Sequence, residues 1–313
     1  MKEFDAKYSV RTDLAAEARD YAHEKNKGRR NDGIIADKKI IDGITVETLE
    51  ITDSAQSELC SKPCGKYITV NIGEIWNSDK ESFDKIAHVI SAVLRSLFPQ
   101  DGSCLLCAMG NSAITADALG PIVASNFIVT RHIKTADKAL FDSFELRETM
   151  CIIPGVTAKT GYEGAQSVKG IVNALNPDFA VVVDALASRK LSRLGTTVQI
   201  CDSGLAPGSG VGNERAALNR ETLGIPVFAI GVPTVVEAQT LALDILSDAL
   251  EKSDKGSELE SALELLQENP TAFFVTPKDT DHIIKDVSKL LGYSLNLALH
   301  KDLTIGEIDE FLS

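Results

Sequence analysis

Between residues 104 and 236 the sequence repeats one pattern. A run of three to six apolar residues leads through a turn into a longer amphipathic stretch. The runs are 104–109, 151–153, 179–183 and 227–232, and Thr196-Thr197-Val198-Gln199-Ile200 reads as a further strand among them. Runs this short and this apolar read as strands buried on both faces. The stretches 117–129, 162–175 and 234–251 carry helical spacing between them. This β-α-β-α order predicts an α/β fold with a mixed, mostly parallel sheet and helices on both faces. Before the repeat, 43–51 and 66–72 read as two paired strands. Residues 83–98 read as a helix stopped by Pro99, and a last helix is expected over 278–299.

Two regions stand apart. Residues 1–33 are polar and rich in charges of both signs, with Lys25-Asn26-Lys27-Gly28-Arg29-Arg30 reading as a linker. Residues 244–268 hold eight acids against two lysines and read as a solvated helix or loop. The whole chain of 313 residues has a formal net charge of −13, so phosphates are repelled and general binding to nucleic acid or anionic lipid is not expected. The stretch 223–236 is uncharged, but it is short for a membrane span and contains Gly224, Pro226, Gly231 and Pro233. Met1-Lys2-Glu3-Phe4-Asp5 does not open a signal peptide. A cytoplasmic chain is expected, with its six cysteines as thiols. Cys104 and Cys107 lie three apart in a strand and so point to opposite faces, which argues against a shared metal. The five histidines form no ligand pattern, and no metal and no cofactor is expected.

In a parallel sheet, function gathers beyond the carboxyl ends of the strands. Three loops there hold the informative residues: 110–121, 184–189 and 202–213. Asp184 follows four apolar residues directly, so it is either exposed at the rim of the sheet or held by a partner. Asp117 lies past the Gly110-Asn111 turn, where it could cap a helix. Taken together the two acids suggest more. Carboxylates brought close cannot both ionise easily, so one keeps a proton, and the pair can act as base and acid on one water. That chemistry suits amide hydrolysis. The glycine loop Gly208-Ser209-Gly210-Val211-Gly212 lacks the Lys-Ser/Thr ending of a P-loop and does not fit G-x-G-x-x-G. A turn that lets a peptide backbone approach closely is the expected use.

In order along the chain, the loops resemble the germination protease family of spore-forming bacteria. The matching stretches begin with Tyr8-Ser9-Val10-Arg11-Thr12-Asp13-Leu14-Ala15, Asp117-Ala118-Leu119-Gly120-Pro121 and Thr130-Arg131-His132. They continue with Ile153-Pro154-Gly155-Val156, Asn176-Pro177-Asp178-Phe179 and Asp184-Ala185-Leu186-Ala187. Asp202-Ser203-Gly204, residues 207–213, 221–227 and 275–278 complete the set. The segment 238–274 is shorter and more acidic than the family pattern, and the region before Gly102 matches weakly outside the N-terminus.

The resemblance implies an endopeptidase that degrades small acid-soluble spore proteins during germination, in the cytoplasm of the forespore and spore core. It implies a zymogen that removes its own N-terminal segment and a homotetramer. It places two catalytic aspartates on Asp117 and Asp184, with Asn111, Gly208, Ser209, Gly210, Gly212 and Asn213 lining the substrate cleft. The junction would be Asp13–Leu14, making residues 1–13 a propeptide and 14–313 one peptidase domain. The fold would be related to that of hydrogenase-maturation endopeptidases, whose corresponding acids bind metal. That relationship keeps a metal-dependent peptidase open as an alternative. A non-catalytic anion-binding assembly protein, with the glycine loop as its site, is the other.

Overall fold

A computed structural model of the chain describes residues 12–25, 33–144, 146–207, 216–252 and 273–313. Most of the expected linker at 25–30, the glycine loop from Gly208 onward and most of the acidic 244–268 segment lie outside them. The described residues form a nine-stranded sheet. Its strands are β1 (Ile34–Ile41), β2 (Ile44–Ile51), β3 (Gly65–Asn71), β4 (Cys104–Ala108), β5 (Thr149–Ile152), β6 (Phe179–Ser188), β7 (Thr197–Cys201), β8 (Val227–Glu237) and β9 (Phe274–Val275). Their order is β1-β2-β3-β7-β8-β6-β4-β5, with β9 on β8.

The sheet is mixed, as expected, but it is not mostly parallel. Only β8-β6, β6-β4 and β4-β5 pair in parallel; the other five pairings are antiparallel. The direction of β7 has a simple cause. Eight residues, 189–196, separate it from β6. A parallel return needs a crossover of a dozen or more residues, so the chain turns over and β7 runs back against β8.

Helices cover both faces. On one, Val181, Val183, Ile200 and Ile230 pack with Ile90 and Leu94 of the helix Lys80–Leu97 and with Val287 and Leu291 of the helix Thr280–Leu299. On the other, Cys107 and Val182 meet Val168 and Val172 of the helix Gly164–Leu175. Further along this face Tyr67, Cys201 and Ala229 meet Ala15 and Ala22 of the helix Ala15–Lys25. Cys104 and Cys107 do fall on opposite faces, in different packing clusters. Burial pushes both thiols up, and that of Cys151 up to about 12, so none of the three is a ready nucleophile or ligand at neutral pH.

Two expected boundaries move. The helix expected over 117–129 is a 3-10 turn, Thr115–Asp117, followed by a short helix, Leu119–Ser125. The strand at 227–232 continues to Glu237 before the helix Ala238–Lys252 begins. That extra length gives β6 partners through Ser188, opposite Val236. No helix among the described residues is long and apolar enough to cross a membrane.

Candidate active site

Asp184 does not end its strand. It sits inside β6, buried, opposite Gly231 of β8, and its Oδ1 accepts from Ala185 N–H at 3.0 Å. Gly231 in turn faces Gln199 of β7. Register partners on neighbouring strands point to one face, so Asp184, Gly231 and Gln199 form one row on the face of Cys107 and Ala229. The middle position has no side chain of its own. Leu186 fills the space, since a Cβ on Gly231 would come within 2.4 Å of its Cγ.

Asp117 reaches the same region through the Gly110 turn. Met109 N–H donates to Val183 O at 2.8 Å, one residue before Asp184. Gly110 follows at φ +119°, and Asn111 N–H donates to Asp117 O at 2.8 Å. A Cβ on Gly110 would lie 2.1 Å from Asp117 O, so glycine is needed here for both conformation and space. The Asn111 side chain turns inward on its own loop and accepts from Ala113 N–H at 3.1 Å. The turn Thr115–Asp117 packs against β6, β8 and the helix Thr280–Leu299. Asp117 does not cap the helix Leu119–Ser125, whose N-cap is Ala118.

The third loop departs from expectation. Because β7 is antiparallel, Asp202 leaves the sheet toward the amino ends of β6 and β4, away from Asp117 and Asp184. There Asp202 Oδ1 accepts from Lys66 N–H at 2.7 Å. Leu205 and Leu218 then bridge each other against the Cys107–Val182 face, and Ala216 N–H reaches Glu163 Oε2 at 3.4 Å. Gly208, Ser209, Gly210, Gly212 and Asn213 lie outside the described residues.

A segment near the N-terminus fills the space beside the row. Asp13 and Leu14 are 8% and 1% exposed, although polar sequence surrounds them. Asp13 N–H donates to Ala187 O and Asp13 Oδ2 accepts from Ala187 N–H, both at 2.8 Å. Gln199 Nε2 donates to Asp13 O at 3.0 Å and Gln199 Oε1 accepts from Ala15 N–H at 2.7 Å. Leu14 N–H donates to Thr12 Oγ1, which donates to Glu17 Oε2. Glu17, also buried, accepts from Arg189 N–H at 2.6 Å and Lys190 N–H at 3.2 Å. Arg189 pairs with Asp244 and lies over the Tyr21 ring. Sequence reasoning missed Gln199, and it took 184–189 for a loop rather than the strand end that seats the segment. The one available signal was an amide, Gln199, between Val198 and Ile200 in the expected strand 196–200.

A cavity of about 390 Å³ lies elsewhere, lined by Ser103, Arg147, Glu148, Asp178 and Lys301 at the amino ends of β4 and β6. Arg147 there is spent on the carbonyls of 99–102. Beside it, burial and the Arg147 charge hold the His300 imidazole down to about 4, so it is neutral at pH 7. Size alone does not make this the site; Asp184, the Gly110 turn that carries Asp117 and the seated segment are at the other end. No group of three or more His, Cys, Asp or Glu side chains among the described residues is placed to hold a metal ion.

Comparison with known proteins gives a consistent result. The family model described as germination protease matches residues 11–261. A germination protease of Clostridium perfringens is 38% identical over 98% of this chain and 100% of its own length. One from Caldanaerobacter subterraneus is 37% identical over 97% of this chain and 98% of its own. One from Priestia megaterium is 34% identical, with 96% and 97% covered. With a family model spanning most of the chain and relatives this similar over nearly their whole length, this chain belongs to the germination protease family.

Proposed function

We propose that this protease is a self-activating endopeptidase whose N-terminal segment occupies its own substrate cleft, and that Asp117 and Asp184 carry the hydrolysis. The observation that supports this most is the seating of residues 12–17 on β6 and Gln199, beside the row that holds Asp184. Ala15 and Ala22 account for the docking of the helix Ala15–Lys25, but not for burying the Asp13 carboxylate of an Asp-Leu peptide. A cleft shaped for an acid followed by a large apolar residue would bury one.

In this reading one carboxylate takes a proton from water as it attacks, and the other, protonated, gives one to the departing nitrogen. Residues 1–13 are the propeptide and 14–313 the peptidase domain. While the junction is intact the chain fills its own cleft, and the burial of Asp13 and Leu14 keeps water from the bond. Cutting it frees the cleft for small acid-soluble spore proteins, in a homotetramer within the spore core. The Gly110–Asn111 turn after β4 is the basis for relating the fold to hydrogenase-maturation endopeptidases, and zinc or nickel rescue after chelation would favour that metal-dependent route.

The test is cleavage of a purified small acid-soluble spore protein by the converted chain. Cuts after an acid and before a large apolar residue support the reading. Intact substrate under every activating condition would favour the non-catalytic alternative.

A further inference from the structure

We infer that Gln199 is a catalytic residue of this site: its side-chain amide donates to the carbonyl oxygen of the bond to be cut and stabilises the negative charge that develops there. The inference rests on the proposed function, since it takes Asp13–Leu14 as the bond.

Gln199 brackets that peptide. Its Nε2 lies 3.0 Å from Asp13 O and its Oε1 2.7 Å from Ala15 N. The amide orientation is fixed by these partners, because a backbone N–H can only donate and a carbonyl can only accept. The side chain is 7% exposed, so water competes little for the Asp13 carbonyl. Gln199 is held on a central strand between β3 and β8, which makes it a prepositioned donor. Such a donor gains strength as charge grows on the oxygen it already touches.

The step balances with water alone. Water oxygen bonds to the Asp13 carbonyl carbon and gives a proton to the carboxylate base. The C=O π pair moves onto the oxygen facing Gln199 Nε2–H. The pair then returns and the C–N bond to Leu14 breaks. The nitrogen takes up a proton from the acid. The products are a carboxyl group on Asp13 and an amino terminus on Leu14.

A plain anchoring role for Gln199 predicts something different, and two variants of the full chain separate the roles. Gln199→Ala removes both bonds. Gln199→Glu keeps the size and the acceptor for Ala15 N–H, loses the donor when ionised, and regains one as an O–H when protonated. Conversion at Asp13–Leu14 is followed by intact mass across pH, with thermal melting as the control for folding. The expected result is conversion slowed by about 10²–10³-fold in Gln199→Ala at every pH. Gln199→Glu should be as slow at neutral pH and recover toward the wild-type rate as pH falls. Wild-type rates in both variants, or a Gln199→Glu chain that shows no pH-dependent recovery, would overturn the inference while leaving the proposed function standing. A wild-type chain that does not cut at this bond overturns both. If Gln199→Ala does not fold, the pH profile of Gln199→Glu decides alone.

Discussion

Asp184 and Gln199 stand at one level of the sheet, on strands β6 and β7, each the register partner of Gly231 on the strand between them. Two strand spacings put their Cα atoms about 10 Å apart. The space left by the absent side chain at Gly231 is taken by Leu186. Gln199 holds the segment at Asp13 and Ala15, and the backbone of Ala187, three residues past Asp184, holds it from β6.

Gly231→Ala tests that space. The new Cβ would meet Leu186 Cγ at 2.4 Å, so Leu186 must move or the strands must part. Overpacking of this kind costs about 1–3 kcal/mol. A lower melting midpoint and slowed self-cleavage are expected, with Leu186→Ala in the same chain restoring most of the stability. An unchanged midpoint in the single variant would show that the space is not tight.

Asp117→Asn and Asp184→Asn each keep size and hydrogen bonding while removing the ionisable group. Loss of an essential acid or base lowers the rate by about 10²–10⁴-fold. Both variants should melt near the wild-type temperature and fail to cut themselves. Near-normal cleavage by either removes that residue from the mechanism.

Glu17→Ala strips the acceptor from Arg189 N–H and Lys190 N–H and from the Thr12 hydroxyl. Each lost bond to a charged acceptor is worth about 1–3 kcal/mol, toward the low end here because Lys190 is exposed. Hydrogen exchange at Ala15 and Ala18 should accelerate while the amides of β6 stay protected. Equal exchange in wild type and variant would mean that Glu17 does not seat the segment.

His300 gives the protein an acid-sensitive joint. Burial, then the Arg147 charge, lower its pKa from 6.5 to about 4. Between these values the unfolded chain binds a proton that the folded chain refuses. Stability is therefore full above about pH 6.5 and falls as pH drops toward 4, by roughly 3 kcal/mol from this group at 1.36 kcal/mol per pKa unit. In His300→Gln, the slope of melting temperature against pH over that interval should flatten. Carboxylates such as Asp178, whose pKa is lowered by bonds from Ser103, supply the slope that remains. An identical slope in wild type and variant would show that His300 titrates normally.

Seven of the nine strands were legible in the sequence, most of them because an apolar run of this length has few other uses; the exposed β1 and the two-residue β9 were not. The direction of β7 was also readable, from the eight residues that separate it from β6, but strand order alone suggested a parallel sheet. Asp184 looked like a strand end because its charge interrupts the apolar run. The strand continues because β8 supplies partners as far as Val236, and such long-range pairing leaves no local mark. The glycine loop drew attention by composition; Asp202 before it leaves β7 at the amino ends of β6 and β4, while Ala216 beyond it reaches Glu163, just ahead of the helix Gly164–Leu175 and close to Met109. Gln199 reaches a segment 184 residues away, and no spacing rule connects Gln199 to Ala15.

The most direct test is the N-terminus of the chain itself. Purified wild-type and Asp184→Asn proteins are taken through mild acidification without other proteases, and their intact masses are measured before and after. The account predicts a wild-type product that begins at Leu14 and an Asp184→Asn chain that stays whole. A product beginning elsewhere, or the same product from the Asp184→Asn chain, would contradict it.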